Sequence, residues 1–209
     1  MNTVFDKYHQ RFDAWYDRYK FAYLSELEAI KKVLPPGGRG LEIGVGTGRF
    51  AAPLGITLGV DPSMDMIKIA AQRGVNVRWG LGEALPFLGE TFDYVVIVVT
   101  LCFVKEPLKV LKEARRVLKK EGKIIVGIID KNSFLGRFYQ KKRSIFYRDA
   151  HFFSVKELIN LLKSTGFRRF SCYQTIFRFP EQMSSIEKPQ RAFGKGGFVA
   201  ISARTTPLS

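Results

Sequence analysis

Leu41-Glu-Ile-Gly-Val-Gly-Thr-Gly-Arg-Phe50, followed by Leu58-Gly-Val-Asp-Pro-Ser63, decides the fold class of this chain. Leu41 to Ile43 is short, largely apolar and β-branched at its end, the make-up of a buried strand. Gly44, Gly46 and Gly48 follow at alternating positions, where the missing Cβ lets the backbone turn sharply and approach a ligand closely. Arg49 and Phe50 are expected to open a short helix whose first amides face that ligand. A second apolar strand, Ile56 to Val60, ends in Asp61, an acid placed to accept hydrogen bonds from the two hydroxyls of a ribose. Strand, glycine turn, helix, strand and acid together predict a nucleoside-containing cofactor on a doubly wound α/β domain.

The glycine spacing admits two cofactors. Counted from Gly46, Gly48 and Ala51 fit the G-x-G-x-x-A turn of dinucleotide-binding domains, which keeps a nicotinamide-dependent oxidoreductase open. Counted from Gly44, the sixth position is Arg49 and that pattern fails. The pattern acid-x-G-x-G-x-G is met in full by Glu42, Gly44, Gly46 and Gly48, and there the chain resembles the class I S-adenosylmethionine-dependent methyltransferases. Gly80-Leu-Gly-Glu-Ala-Leu-Pro-Phe87 is similar to that family's third motif, and Phe92-Asp-Tyr-Val-Val-Ile-Val-Val99 to its fourth strand. Arg116-Val-Leu-Lys-Lys-Glu-Gly-Lys-Ile-Ile125 is similar to its R-V-L-K-P-G-G entry into the fifth strand. These stretches follow in family order between Pro35 and Asp130. The chain departs from the pattern at Leu81, where the family has Asp, and at Lys120-Glu121, where it has Pro-Gly. Pro53 and Gly55 also shorten the first helix.

The resemblance implies S-adenosyl-L-methionine as cofactor and a set of positions that hold it. Glu42 would sit near the methionine ammonium, Gly44, Gly46 and Gly48 would line methionine and ribose, and Asp61 would hold the ribose hydroxyls. Pro62 and Met66 would pack on adenine, Gly82 and Glu83 would lie at its edge, and Thr100 would end the fourth strand beneath the donor. Methyl transfer from a sulfonium is an in-line displacement that mainly requires positioning and exclusion of water, so no catalytic side chain is obligatory.

The chain has 209 residues, 46% of them hydrophobic, the size of one domain with a proper core. The expectation is an α/β fold: a doubly wound, seven-stranded, mostly parallel sheet with an antiparallel last strand, helices on both faces and an N-terminal helical cap. As the resemblance implies, residues 1–36 would form the cap and residues 37–209 the sheet core of a single methyltransferase domain. Phe5, Tyr8, Phe12, Trp15, Tyr16, Tyr19 and Tyr23 recur at helical spacing in the cap, and Tyr8, Trp15 and Tyr16 are candidates for a lid over the donor. Helices are expected at Lys20–Leu34, Met64–Arg73, Pro107–Leu118, within Ser133–Phe146, and after Ser154, which forms a capping box with Glu157. The strands Phe167–Phe177 and Gly197–Arg204 should pair antiparallel. The N-terminus lacks a signal-peptide pattern, and the longest apolar run, Tyr94 to Val104, is too short to span a bilayer. No membrane partner and a cytoplasmic location are therefore expected. Cys102 and Cys172 form no C-x-x-C, and His9 and His151 show no metal-ligand spacing, so no metal is expected.

Candidates for the chemistry of the acceptor are few. Cys102 lies just past the fourth strand, where acceptors bind in this fold, but Leu101-Cys-Phe103 matches neither the nucleophile motif of the pyrimidine-carbon enzymes nor the Asn/Asp-Pro-Pro motif of the amine enzymes acting on bases. His151 is a candidate base, and Tyr16 a candidate through its hydroxyl. The net charge of +15 is concentrated between Lys105 and Arg148, including Lys141, Lys142 and Arg143. Such a field suits an anionic partner, and RNA is the second choice of acceptor after a small, possibly anionic, molecule. A cofactor-binding regulator without catalysis is the non-enzymatic alternative.

Overall fold

The computed structural model describes residues 4–142 and 144–205, so Arg143 lies outside the described residues. Helices α1 (Val4–Arg18) and α2 (Lys20–Val33) precede the sheet. The sheet is built from β1 (Gly40–Ile43), β2 (Leu58–Asp61), β3 (Asn76–Trp79), β4 (Phe92–Val98), β5 (Leu118–Ile129), β6 (Phe167–Thr175), β7 (Gln190–Arg191) and β8 (Phe198–Thr205). Between them lie α3 (Met64–Gln72), α4 (Pro107–Val117), α5 (Phe134–Lys141) and α6 (Val155–Ser164). The strand order is β3-β2-β1-β4-β5-β8-β6-β7, with β1 to β5 parallel and β8 antiparallel between β5 and β6. The order reverses between β1 and β4, and the crevice beyond the carboxyl ends of those strands is where such sheets bind ligands.

Two-residue alternation in the central strands divides the core into two layers. Val96 and Val98 of β4, Ile125 and Ile129 of β5, and Phe198 and Ala200 of β8 pack with Ala29, Ile30 and Val33 of α2 and with Tyr16 of α1. Val95, Ile97, Ile124, Val126, Val199 and Ile201 turn the other way, onto α4 and α6. Ser154 caps α6 by accepting from Glu157 N while Glu157 accepts from Ser154 N, the reciprocal box its sequence predicts.

Three features differ from expectation. The sheet has an eighth strand, β7, in which Gln190 and Arg191 pair with Gln174 and Tyr173 of β6; two residues carry no readable periodicity. The helix expected from Arg49 is a run of turns over 49–55. Ala52 N–H donates to Gly48 O and Leu54 N–H to Phe50 O, but Pro53 has no N–H to offer Arg49 O. The Tyr23 hydroxyl, reaching from α2, donates to the Arg49 carbonyl instead. Finally, β5 starts early and bulges: Leu118 pairs with Phe92, and the register then shifts so that Tyr94 faces Lys123.

Glu121, inside that bulge, has φ +60°, a left-handed conformation that glycine adopts without strain. It occupies the position at which the related motif has glycine. Replacing it, Glu121→Gly, should stabilise the chain by about 1 kcal/mol, read as a higher urea midpoint with an unchanged slope; a lower midpoint would show that the bulge is unstrained.

Candidate functional site

The carboxyl ends of β1, β2 and β4 meet at the glycine loop. Gly44 N–H and Val45 N–H both donate to Val60 O, at 2.8 and 3.1 Å, which ties the loop to β2. Thr100, just past β4, donates from Oγ1 toward Val98 O at 3.0 Å and Gly44 O at 3.3 Å. A Cβ on Gly44, whose φ is +70°, would lie 2.2 Å from Thr100 Cγ2, so this glycine serves close backbone packing. Gly46 is different. Its φ is +52° and a Cβ there would meet nothing within 4 Å, so the loop opens at this point onto free space. A Cβ on Gly48 would lie 3.2 Å from Ala70 of α3.

Two buried acids flank that opening. Asp61 ends β2 and accepts from Gly46 N at 2.8 Å through Oδ2 and from Ser63 N at 2.9 Å through Oδ1. Burial pushes its carboxyl up to about 6, against the lowering effect of those two amides. Ser63, not Asp61, caps α3 by accepting from Met66 N. Glu42 in β1 is 1% exposed, and its Oε2 is sealed from water with no hydrogen-bond partner among the described residues. Burial holds this carboxyl well above the usual carboxylate range, the Ala51 amide opposes the shift, and the Asp61 charge adds to it. A buried acid with one oxygen left without a partner is what a cationic ligand group would satisfy.

The positions implied for adenine are spread around the ends of β2 and β3. Pro62 is exposed, and its carbonyl accepts from Trp79 Nε1 at 3.0 Å. Helical register turns Met66 inward to 2% exposure, whereas Met64 is 53% exposed. Gly82 packs inward, since a Cβ there would lie 3.0 Å from Ile43 Cγ2, and Glu83 beside it is half-buried. The loop bearing them is pinned from α4. Glu113 accepts from Leu85 N, and Arg116 donates to Leu85 O and Phe87 O.

Among the acceptor candidates, Cys102 is a thiol whose pKa burial pushes up to about 12, so it is protonated and a poor nucleophile at neutral pH. It lines a small apolar cavity with Val99, Ile128 and Phe152. The His151 backbone N–H donates to Cys102 O at 2.8 Å, while its ring is exposed against Phe153, so the imidazole faces outward. Tyr16 is buried between Phe12, Trp15, Tyr23 and Phe50. Burial, with Glu26 and Glu42 adding to it, holds its hydroxyl well above its ordinary pKa. Tyr8 lies at an irregularity inside α1, where φ is −124°. Phe5 and Phe12, on the same helix, pack against Phe103 and Phe146 and lay α1 over the segment after β4.

Asp13 of α1 holds the glycine loop, a position that the sequence reading missed. Thr47 Oγ1 donates to its Oδ1 at 2.5 Å, Arg49 to both oxygens, and Arg73 to both, while Arg73 also donates to Thr47 O at 2.6 Å. Asp17, one turn on, takes the outer edge of Arg49. The signal was the spacing of Asp6, Asp13 and Asp17 along one side of an otherwise aromatic helix. Burial raises the Asp13 carboxyl, but the hydrogen bonds from Arg49, Arg73 and Thr47 outweigh it and hold it well below the usual carboxylate range. A depressed acid contributes stability that is complete above its ordinary value of 3.8 and is lost as pH falls through the lower folded value. Asp13→Ala, leaving two arginines half-enclosed without their partner, should cost about 3–5 kcal/mol at pH 7. The gap between wild type and Asp13→Asn in urea unfolding should narrow steadily below pH 4; a gap independent of pH would remove the ionic account.

The comparisons agree with this geometry. Residues 41–126 match the family model described as a methyltransferase domain. An uncharacterised protein of Methanocaldococcus jannaschii is 51% identical over 96% of this chain and 98% of its own length. A demethylmenaquinone methyltransferase of Bacillus cereus is 31% identical over 98% of this chain and 89% of its own length. A crystal structure from Thermotoga maritima, described as an S-adenosylmethionine-dependent methyltransferase and possible histamine N-methyltransferase, superposes with a TM-score of 0.96 at 48% identity, covering 99% of this chain and 100% of that one. With the glycine loop, its two acids and the β3-β2-β1-β4-β5-β8-β6 sheet order in place, the chain belongs to the class I S-adenosylmethionine-dependent methyltransferases.

Proposed function

We propose that this chain transfers a methyl group from S-adenosylmethionine directly to a small-molecule acceptor. The observation that carries the reading is Glu42 Oε2, a buried carboxylate oxygen without a partner, next to a glycine that opens onto free space. Glu42 would face the methionine ammonium, Gly46 would let the backbone approach the ligand, and Asp61 has lone pairs left after Gly46 N and Ser63 N to accept from ribose hydroxyls. When bound, the donor supplies a methyl group on a sulfonium, so the protein's work is alignment and the exclusion of water. The absence of an activated thiol at Cys102 supports direct transfer over a covalent route.

The basic stretch supports a small acceptor better than RNA. Arg115 donates to Gly166 O, and Arg116 is bound to Glu113 and the loop after β3. Lys109, Lys119, Lys131 and Arg148 pair with Glu106, Asp93, Glu157 and Asp149. Part of this charge is therefore engaged within the fold. The relatives from B. cereus and T. maritima are named for small molecules, menaquinone precursor and possibly histamine, which favours the same class for this chain.

S-adenosylhomocysteine should raise the melting temperature by mass action. Gly46→Ala should fold, at a cost of about 1–2 kcal/mol for its left-handed backbone, yet lose that rise. Gly44→Ala should fail to fold because of the Thr100 contact. Equal S-adenosylhomocysteine affinity in Gly46→Ala and wild type would remove the loop from the donor site.

Affinity should also depend on pH. Asp61 must be ionised to accept from its amides and a ribose together, and it titrates near 6. Calorimetry should show S-adenosylhomocysteine binding weaken as pH falls below about 6, and Asp61→Asn should flatten that limb. Unchanged affinity between pH 7.5 and 5 would detach Asp61 from the ligand.

A further inference from the structure

The amino end of β5 carries an arrangement of charge that the crevice does not explain. Lys123 of β5 lies directly opposite Arg204 of β8, and Arg204 lies opposite Arg168 of β6. Paired residues on neighbouring strands share one face of the sheet, so three cations stand side by side in one row. Strand spacing sets them about 5 Å apart at the backbone. Like charges in this position destabilise a sheet. Lys123 is half-buried there, and burial together with the Arg204 charge lowers its ammonium pKa from the ordinary lysine value.

Hydrogen bonds gather further cations around the row. Arg204 Nη1 donates to Glu121 O at 2.9 Å and Thr205 Oγ1 to Lys119 O at 3.2 Å, which seats the lysine-rich start of β5 against the end of β8. Arg168 Nη1 donates to Lys163 O at 2.8 Å, which brings in the last turn of α6. The acids that reach this segment are already taken: Glu121 faces Arg169 at 3.5 Å, and Asp93 faces Lys119 at 2.9 Å. Lys120, Lys123, Lys163, Arg168 and Arg204 have no carboxylate partner among the described residues. Arg169 has φ +57° at the bulge that follows Arg168, a left-handed conformation that costs energy in a residue other than glycine. Charge repulsion and backbone strain thus coincide on this surface.

A partner rich in negative charge would remove that repulsion. The cations are spread over three strands and a helix end, which suits a chain of repeated charges better than one small anion. None of the large hydrophobic side chains exposed on the molecule stands on β5, β6, β8 or α6. The surface therefore has no apolar wedge for a bilayer and no exposed ring on which unpaired bases could stack. The phosphates of a duplex require neither. We propose that the row Lys123, Arg204 and Arg168, with Lys120 and Lys163 beside it, docks the phosphate backbone of double-stranded nucleic acid, RNA and DNA alike, without regard to sequence. β5 runs from this end to the crevice, and Lys123 to Ile129 spans about 20 Å. The docked duplex is therefore a partner at the far end of the sheet from the donor site, and not the methyl acceptor.

The test is fluorescence anisotropy of the full chain with labelled duplexes of DNA and of RNA, each in two unrelated sequences. All should bind, and affinity should fall about thirtyfold or more between about 50 and 200 mM salt, as three or more neutralised phosphates require. Lys120→Glu with Arg204→Glu should weaken binding about tenfold or more and flatten the log–log salt slope by about 2, while the S-adenosylhomocysteine melting shift stays. Arg204 also holds Glu121 O, so Lys120→Gln with Lys163→Gln, at exposed side chains that hold nothing, serves as a second row variant and should weaken binding in the same direction. Lys141→Glu with Lys142→Glu on α5 changes the net charge as much as the first variant and should bind within about threefold of wild type. No duplex binding at low salt, affinity insensitive to salt, capture of one sequence only, binding retained in both row variants, or an equal loss in the α5 variant would each overturn the assignment. Row-dependent binding to phosphatidylserine vesicles that is tighter than binding to the duplexes would overturn it in favour of a membrane.

Discussion

One carboxylate holds the active end of the molecule together. Asp13 gathers Thr47 and Arg49 from the glycine loop and Arg73 from the end of α3, and it does so from a helix outside the sheet. Without it the loop would have β2 beneath it and little above, because the turns of 49–55 lack the regular hydrogen bonding of a helix. The shape of the glycine loop is thus a tertiary property. It depends on α1 lying where Phe5, Phe12 and Tyr16 pack it, against Phe103, Phe146 and Phe50. Aromatic burial positions the helix, and the charged contact fixes its register on the loop.

The electrostatics divide the molecule. Part of its surplus of positive charge, at Arg115, Arg116, Lys119 and Lys131, is engaged by ion pairs and carbonyl contacts. Its interior carries Glu42, Asp61 and Glu26, each with a pKa raised by burial. Acids without cations in a low-dielectric setting are costly, and they persist where a ligand supplies the missing charge. The signs are thus opposite outside and inside: net charge describes the basic surface, whereas the buried titratable groups Glu42, Asp61 and Glu26 are acidic.

Contiguous stretches of sequence carried most of the fold. Leu41 to Phe50 and Leu58 to Ser63 hold strand, turn and acid within reach of one another, so their pattern needed no tertiary information. The Ser154–Glu157 box was legible for the same reason. What failed was decided across long separations. Pro53 already weakened the expected helix, but only the Tyr23 hydroxyl, distant in sequence, shows how the stretch is held without one. Met66 and Met64 are indistinguishable as residue types, and only the orientation of α3 on the sheet buries one and exposes the other. Asp13 acquires its role from partners on other elements. Its sole local trace is polarity out of place, an acid row beside an aromatic stripe.

An open sheet can recruit foreign strands along the free backbone of its two edges. One border is β7, two exposed residues that include Arg191, too short to template a partner. The other is β3, four residues long and mostly exposed, with Arg78 stacked over Phe87 and bonded to Pro86 O, and Trp79 tied to Pro62 O. Short borders bearing arginine are poor seeds for edge-to-edge pairing. The hydrophobic strands β4, β5 and β8 are buried deep between them, so the apolar centre of the sheet presents no edge to a neighbouring molecule.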